Sequence, residues 1–347
     1  MINISAKKPL GLTQSDIKMN GWSVEARIYA EDPIRNFAPS IGRLKTFKSP
    51  SENSSSIRLD SGVQEGGEIS MYYDPMIAKL ISYGKDRDDA CLKLSSALDT
   101  FFISGLETNI AFVNSVLNNK KFLSGNITTA FLEEEYPKGY SGLLKSKSKL
   151  FLISLVALAM EAIKKYRNQN LTAETCVVII SKLDFTISYK MVYNQTKNIY
   201  DFSIIFKEQS YDFSIKWDIG YPLLSISMDK HTSILQVTND TSKYRIKHAG
   251  FDIYATVREN DIYKLSKLIP KKAKNNLSKL LLSPMPGQVV KVCVQENQKI
   301  NSGDDLIILD AMKMENILKA DKDAVIKKIH IKEGDTVSVD QELIVFS

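Results

Sequence analysis

Lys313 stands between two methionines in the stretch LDAMKMENILKA, residues 309–320. An exposed lysine in a turn normally needs no such company. A lysine whose amine is to be acylated needs a projecting position without a competing charge, and Met312 and Met314 offer flexible, polarizable surface of that kind, with Ala311 completing the AMKM tetrapeptide. An amide at that amine would remove one positive charge and leave a long, flexible arm. Such an arm raises the effective concentration of its load at every site it can reach, so a carrier of this kind implies two active sites elsewhere. The second candidate is Arg27, in WSVEARIYA, whose guanidinium could stabilise an oxyanion that develops during reaction. Taken by itself Arg27 is a charged residue on a strand.

Three regions must position these residues. From about 20 to 140 the pattern mixes short strands and helices. Val24, Ala26 and Ile28 share one face of a strand, opposite Glu25, Arg27 and Tyr29, while DRDDACLKLSSALDTFF and NIAFVNSVL carry helical spacing. A helix over 148–167 follows, apolar nearly all round (Leu150, Phe151, Ile153, Leu155, Val156, Leu158, Ile163), which predicts enclosure on every side. Eight β-rich segments separated by polar turns come next, from CVVIISKL to FDIYATV, and a closed or nearly closed barrel around the helix satisfies both patterns. PKKAKNNLSK, 270–279, reads as a linker. Beyond it the chain repeats with an offset of 37: Val289, Val292, Val294, Ile300, Leu306 and Ile308 match Ile326, Ile329, Ile331, Val337, Leu343 and Val345. Two β layers related by a pseudo-twofold are expected, with Lys313 in the connection between them. Asn297 stands where the second half has Gly334, and both types tolerate positive φ.

Composition narrows the function classes. The 347 residues are 44% hydrophobic, enough for two or three cored domains. The net charge of +6 comes from scattered lysines without a clustered stripe, which argues against nucleic-acid binding. Cys91, Cys176 and Cys293 form no CxxC, and His231, His248 and His330 fit no metal-ligand spacing, so neither disulfides nor a bound metal is expected and a reducing compartment suits the chain. The longest apolar run, LFLISLVALAM at 150–160, is too short at about 1.5 Å per residue to cross a core of about 30 Å. With no apolar signal core at the N-terminus, no membrane association and no export are expected.

AMKM, the two-half repeat and SPMPG at 283–287 together resemble the biotin carboxyl carrier domain. A lipoyl domain shares the fold, but its lysine usually follows an acidic residue. The resemblance implies covalent biotin on Lys313, with Ala311, Met312 and Met314 read by a biotin protein ligase. NGWSVEARIYAEDPIRNFAPSIGRL, IRLDSGV and YYDPMIAKLISYGKDRDDA are similar to the C-terminal domain of a biotin carboxylase, over about 20–135. That resemblance implies that Arg27 sits against the biotin ureido ring and stabilises its enolate. The family's ATP-grasp domains and their glycine-rich phosphate loop have no counterpart here, so ATP and Mg or Mn belong to the complete enzyme. The chain is expected not to hydrolyse ATP alone, as a fragment or split product requiring the ATP-grasp half of the biotin carboxylase.

The helix and eight-strand region resembles the BT domain through which α subunits of the propionyl-CoA carboxylase type bind their β subunit, and methylcrotonyl-CoA and broader acyl-CoA carboxylase α subunits share the layout. The implied fold class is multidomain α+β: a biotin carboxylase C-terminal domain (1–141), a helix-centred antiparallel β-barrel of BT type (142–269), a linker (270–279) and an all-β biotinyl/lipoyl-type flattened barrel (280–347). The implied function is carboxyl transfer from bicarbonate, through carboxybiotin on Lys313, to propionyl-CoA on a carboxyltransferase β subunit, giving methylmalonyl-CoA in a hetero-oligomer. A stand-alone biotin carrier and assembly module is the alternative. The expected location is the cytoplasm, or the mitochondrial matrix in a eukaryote.

Overall fold

A computed structural model describes residues 1–347 except 54–55, 71, 143–145, 230, 270–278 and 312–313, together with the side chain of Met314. Its first region is built on an antiparallel sheet, order β1 (Trp22–Tyr29), β3 (Met76–Gly84), β2 (Ile57–Ser61). The alternation in β1 does what its pattern predicts: Ala26 and Ile28 are buried, whereas Glu25 and Arg27 face solvent. Behind the sheet lies α1 (Arg87–Thr100), begun by Asp86, whose carboxylate accepts the Asp89 amide at 2.9 Å. Cys91, Leu94 and Leu98 of α1 close the core with Leu80 and Phe101. Gly84 is required where β3 meets α1, because a Cβ there would stand 2.4 Å from the Ala90 amide nitrogen. A second helix, α2 (Ile110–Leu117), completes the layer.

The middle region is α3 (Lys147–Gln169) inside a closed antiparallel barrel of eight strands: β4 (Ala173–Ile180), β5 (Leu183–Asn194), β6 (Ile199–Phe206), β7 (Gln209–Lys216), β8 (Leu223–Met228), β9 (His231–Asp240), β10 (Lys243–His248) and β11 (Phe251–Glu259). Every residue of α3 from Ile153 to Met160 is buried, so all faces of the helix are covered, which is why its sequence lacks a polar stripe. The inward positions of the strands, among them Val178, Ile187, Phe202, Phe213 and Ile246, share one core with it. The barrel shuts where β4 pairs β11, from Cys176↔Glu259 to Ile180↔Ala255. Lys165 of α3 holds that seam from inside, 2.7 Å from both Glu174 Oε2 and Glu259 Oε1. Beside it, burial pushes the Cys176 thiol up to about 12. A short helix, α4 (Asn260–Ser266), follows the last strand.

The C-terminal unit stacks two four-stranded sheets. The strands are β12 (Leu280–Leu282), β13 (Gly287–Val292), β14 (Lys299–Ile300), β15 (Asp305–Ala311), β16 (Met314–Lys319), β17 (Ala324–Ile329), β18 (Thr336–Val337) and β19 (Glu342–Phe346). Their orders are β12-β19-β17-β14 and β16-β15-β13-β18. Adding the offset of 37 carries β13 onto β17 and β14 onto β18, so the repeat exchanges the two sheets. Val289, Ile300, Leu306, Ile326, Val337 and Leu343 fill the space between them. Asn297 has φ of 68° and Gly334 of 92°, as their matching places in the repeat predict.

The first region and the barrel are joined by buried polar contacts. Gln236 of β9 donates to the carbonyls of Leu98 and Phe101, both at 3.0 Å, and so satisfies the C-terminal end of α1. Asp99 Oδ1 accepts from Asn114 Nδ2 and from the Ala249 amide, each at 2.8 Å, while Asp99 Oδ2 lies 2.8 Å from His248 Nδ1. Arg245 of β10 forks onto Glu107 at 2.6 and 2.8 Å and onto Asp252 at 2.7 Å, with Lys247 alongside. Burial alone would push both carboxyls up. The Arg245 hydrogen bonds and the charge of Lys247 outweigh it and hold both below the usual carboxylate range.

Candidate functional site

β1 displays Arg27 on its solvent face, opposite Lys79 of β3. Its guanidinium lies 3.2 Å from Glu25 Oε1, and that contact, with Tyr29 nearby, raises its affinity for the proton further, so the group stays cationic. The side chain is 59% exposed, open to an incoming ligand. What fixes the strand is less visible in the sequence. Asn109, buried at the start of α2, donates to the Arg27 carbonyl at 3.1 Å and accepts the Tyr29 amide at 2.9 Å. It thereby satisfies the backbone on either side of Ile28 along the unpaired edge of β1. Sequence reasoning missed Asn109 because an asparagine before a helix reads as a cap, and nothing local announces a contact 80 residues away. Just beyond β1, Glu31 is half-buried, and burial with Asp74 beside it pushes its carboxyl up. The YYDPM turn brings Asp74 there: Pro75 accepts the Ala30 amide at 2.8 Å, and Asp74 caps the Met76 amide at 2.8 Å.

The AMKM hairpin is framed by β15 and β16, which pair through Asp310↔Glu315 and Ala311↔Met314. Ala311 is buried at the end of β15 and Met314 begins β16; the Met314 side chain, Met312 and Lys313 lie outside the described residues. SPMPG has a physical link to this hairpin. Gly287 passes so close to β15 that a Cβ would stand 2.7 Å from the Asp310 carbonyl oxygen. Ser283 folds the segment by donating to the Met285 carbonyl at 2.6 Å, and Met285 enters the same core as Ala311. The motif thus braces the base of the hairpin. Arg27 and the hairpin belong to separate units, and these touch at Arg35, 3.2 Å from Asp340, and at Ala38, which packs on the C-terminal core. Among the described residues no group of histidine, cysteine or carboxylate side chains could hold a metal, and no helix is long and apolar enough to cross a membrane.

Three family models match successive parts of the chain: the biotin carboxylase C-terminal domain over residues 25–134, the propionyl-coenzyme A carboxylase BT domain over 156–272, and the biotin-requiring enzyme domain over 279–346. The propionyl-CoA carboxylase alpha chain of Ruegeria pomeroyi is 35% identical over 374 residues, an alignment that takes in 100% of this chain and 54% of that one. The human mitochondrial propionyl-CoA carboxylase alpha chain is 33% identical, over 97% of this chain and 48% of its own length. The rat mitochondrial methylcrotonoyl-CoA carboxylase subunit alpha is 30% identical, over 96% and 48%. The chain spans about half the length of these relatives.

Proposed function

We propose, from the premise that this chain carries the biotin carboxylase C-terminal, BT and biotin-requiring domains in unbroken order, that it is the biotin-carrying part of an acyl-CoA carboxylase α subunit. The observation that carries the reading is their succession in one polypeptide, each on the fold its sequence predicts. The division that goes with it is 1–141, 142–269 and 280–347, with 270–279 as linker.

Bound biotin supplies a ureido nitrogen that accepts a carboxyl group at one active site and gives it up at another. Lys313 would hold it as an amide, and the braced base of the hairpin fits that role: Ala311 is buried at the end of β15, and Gly287 lets its strand pass close against Asp310. Arg27 would present its permanently charged, half-open guanidinium to the ureido oxygen, on a strand whose edge Asn109 keeps from shifting. ATP and Mg or Mn would bind an ATP-grasp half of the biotin carboxylase, and the barrel would dock a carboxyltransferase β subunit. Propionyl-CoA, giving methylmalonyl-CoA, is the favoured substrate because the alpha chains named for it match at the higher identities. Methylcrotonyl-CoA is the second reading, on the rat relative. A soluble cytoplasmic or mitochondrial-matrix setting goes with either.

Co-expression with a biotin protein ligase tests the reading at its centre. Intact-mass measurement should find one biotin on the parent chain and none on Lys313→Arg, which keeps the charge and should melt at the parent temperature. An adduct that persists in Lys313→Arg, or none in the parent beside an active ligase, removes the carrier reading.

A further inference from the structure

Next to the Arg245 cluster, the first region and the barrel leave between them a cleft of about 500 Å³. Its floor is apolar and firm: Phe102, Met160 of α3, Trp217 beyond β7 and Val237 of β9 are all buried. The Trp217 indole cannot swing, because its Nε1 donates to the Tyr221 carbonyl at 2.8 Å. Lys48 and Lys164 stand at the rim, one from each region. The Lys48 ammonium lies 4.0 Å from the centre of the Tyr221 ring, and that of Lys164 lies 4.6 Å from the centre of the Tyr244 ring and 3.0 Å from its hydroxyl. Among the described residues neither ammonium has a carboxylate within 4.0 Å, although the Tyr244 hydroxyl that accepts from Lys164 donates in turn to Glu161 Oε2 at 2.5 Å, which leaves Lys48 as the cation without a carboxylate nearby.

This pairing of surfaces restricts the ligand. An inorganic anion would leave the exposed Ile219 and Tyr221 side chains of the cleft in contact with water, and a neutral hydrophobe would leave Lys48 without a counter-charge. Clefts of this size at domain junctions, mostly apolar with a few placed polar groups, are ordinary small-molecule sites. We propose that the cleft binds an amphipathic organic anion, its apolar body on Ile219 and Tyr221 beside the Trp217 indole and its negative head at the rim with Lys48 and Lys164. The ligand would touch both regions at once, so binding would stiffen the junction between the first region and the barrel and raise its melting temperature. It requires neither Lys313 nor Arg27.

The test uses the full chain with Trp22→Phe, which leaves Trp217 as the single tryptophan of the original two. The probe is 8-anilinonaphthalene-1-sulfonate. Saturable one-to-one quenching of Trp217 emission is expected, with a rise in melting temperature. N-phenyl-1-naphthylamine, which has the same rings without the sulfonate, should bind about tenfold or more weakly, the loss of one charge-assisted contact. Lys48→Gln should weaken the sulfonate by about the same factor while Lys48→Arg retains it. Non-saturable quenching, equal affinity for the neutral amine, or equal affinity in Lys48→Gln and the parent would each overturn the proposal.

Discussion

Asn297 turns with φ of 68° and donates its amide to the Ile326 carbonyl at 2.7 Å, so its left-handed backbone is held by the second half of the repeat. Asn297→Gly should leave the stability of the C-terminal unit nearly unchanged. Asn297→Val, with a β-branch in that conformation, should cost about 1–2 kcal/mol and lower the unit's calorimetric transition; an unaltered transition would contradict the turn geometry. Asn109 makes the opposite case. Asn109→Ala leaves a part-buried carbonyl and amide of β1 without their Asn109 partner, a loss of about 1–2 kcal/mol that should appear as a lower urea midpoint with an unchanged slope. The turn at 297 was readable because Gly334 marks the same place one repeat later. Asn109 was not, since its partners Arg27 and Tyr29 become neighbours only when the sheet and α2 come together. The reading of Lys313 rests on its flanking methionines and on SPMPG, which braces β15 at the base of that hairpin.

Among the elements, β10 has the contact whose removal should be felt most. Arg245→Met leaves the Asp252 carboxylate, 6% exposed, beside Glu107 with only Lys247 to offset them, and the expected cost is about 3 kcal/mol, the low end for a broken buried pair because Glu107 is 37% exposed. The sign of the pH dependence follows from the direction of the shifts. Both carboxyls have folded values below their ordinary 4.5 and 3.8, so the stabilisation is complete above that range and is lost as pH falls through it. The parent's melting temperature should therefore drop on acidification below about pH 5, and that of Arg245→Met should drop less. Parallel curves would show that Arg245 does not hold the junction. The enclosed helix was legible because Ile153 to Met160 leave no polar face, and eight alternating strands leave few ways to cover such a cylinder. The junction was not. Gln236, Asp99 and Arg245 read as ordinary polar residues of strands and a helix, and only the partner surface buries them.

At the scale of the whole molecule, the polar stretch 270–279 separates two cores and carries four lysines, so trypsin should cut there first and release a stable C-terminal fragment. First cleavage within 176–258 would mean that the barrel does not close. That closure sets a schedule for a chain made from its N-terminus. The helix α3 is finished at Gln169, but the strand that seals its cage ends at Glu259, 90 residues later. At about 5–20 residues per second, a helix apolar on every face from Ile153 to Met160 would wait outside the ribosome for roughly 5–20 s before its last wall arrives. Its first neighbours, β4 and β5, can pair by a tight turn as they emerge, whereas the seam joins residues some 80 positions apart and must come late. A cell that makes this chain therefore has to shield α3 during synthesis, and depletion of the chaperones that meet nascent polypeptides should aggregate chains stalled between 170 and 259 more than chains stalled before 147.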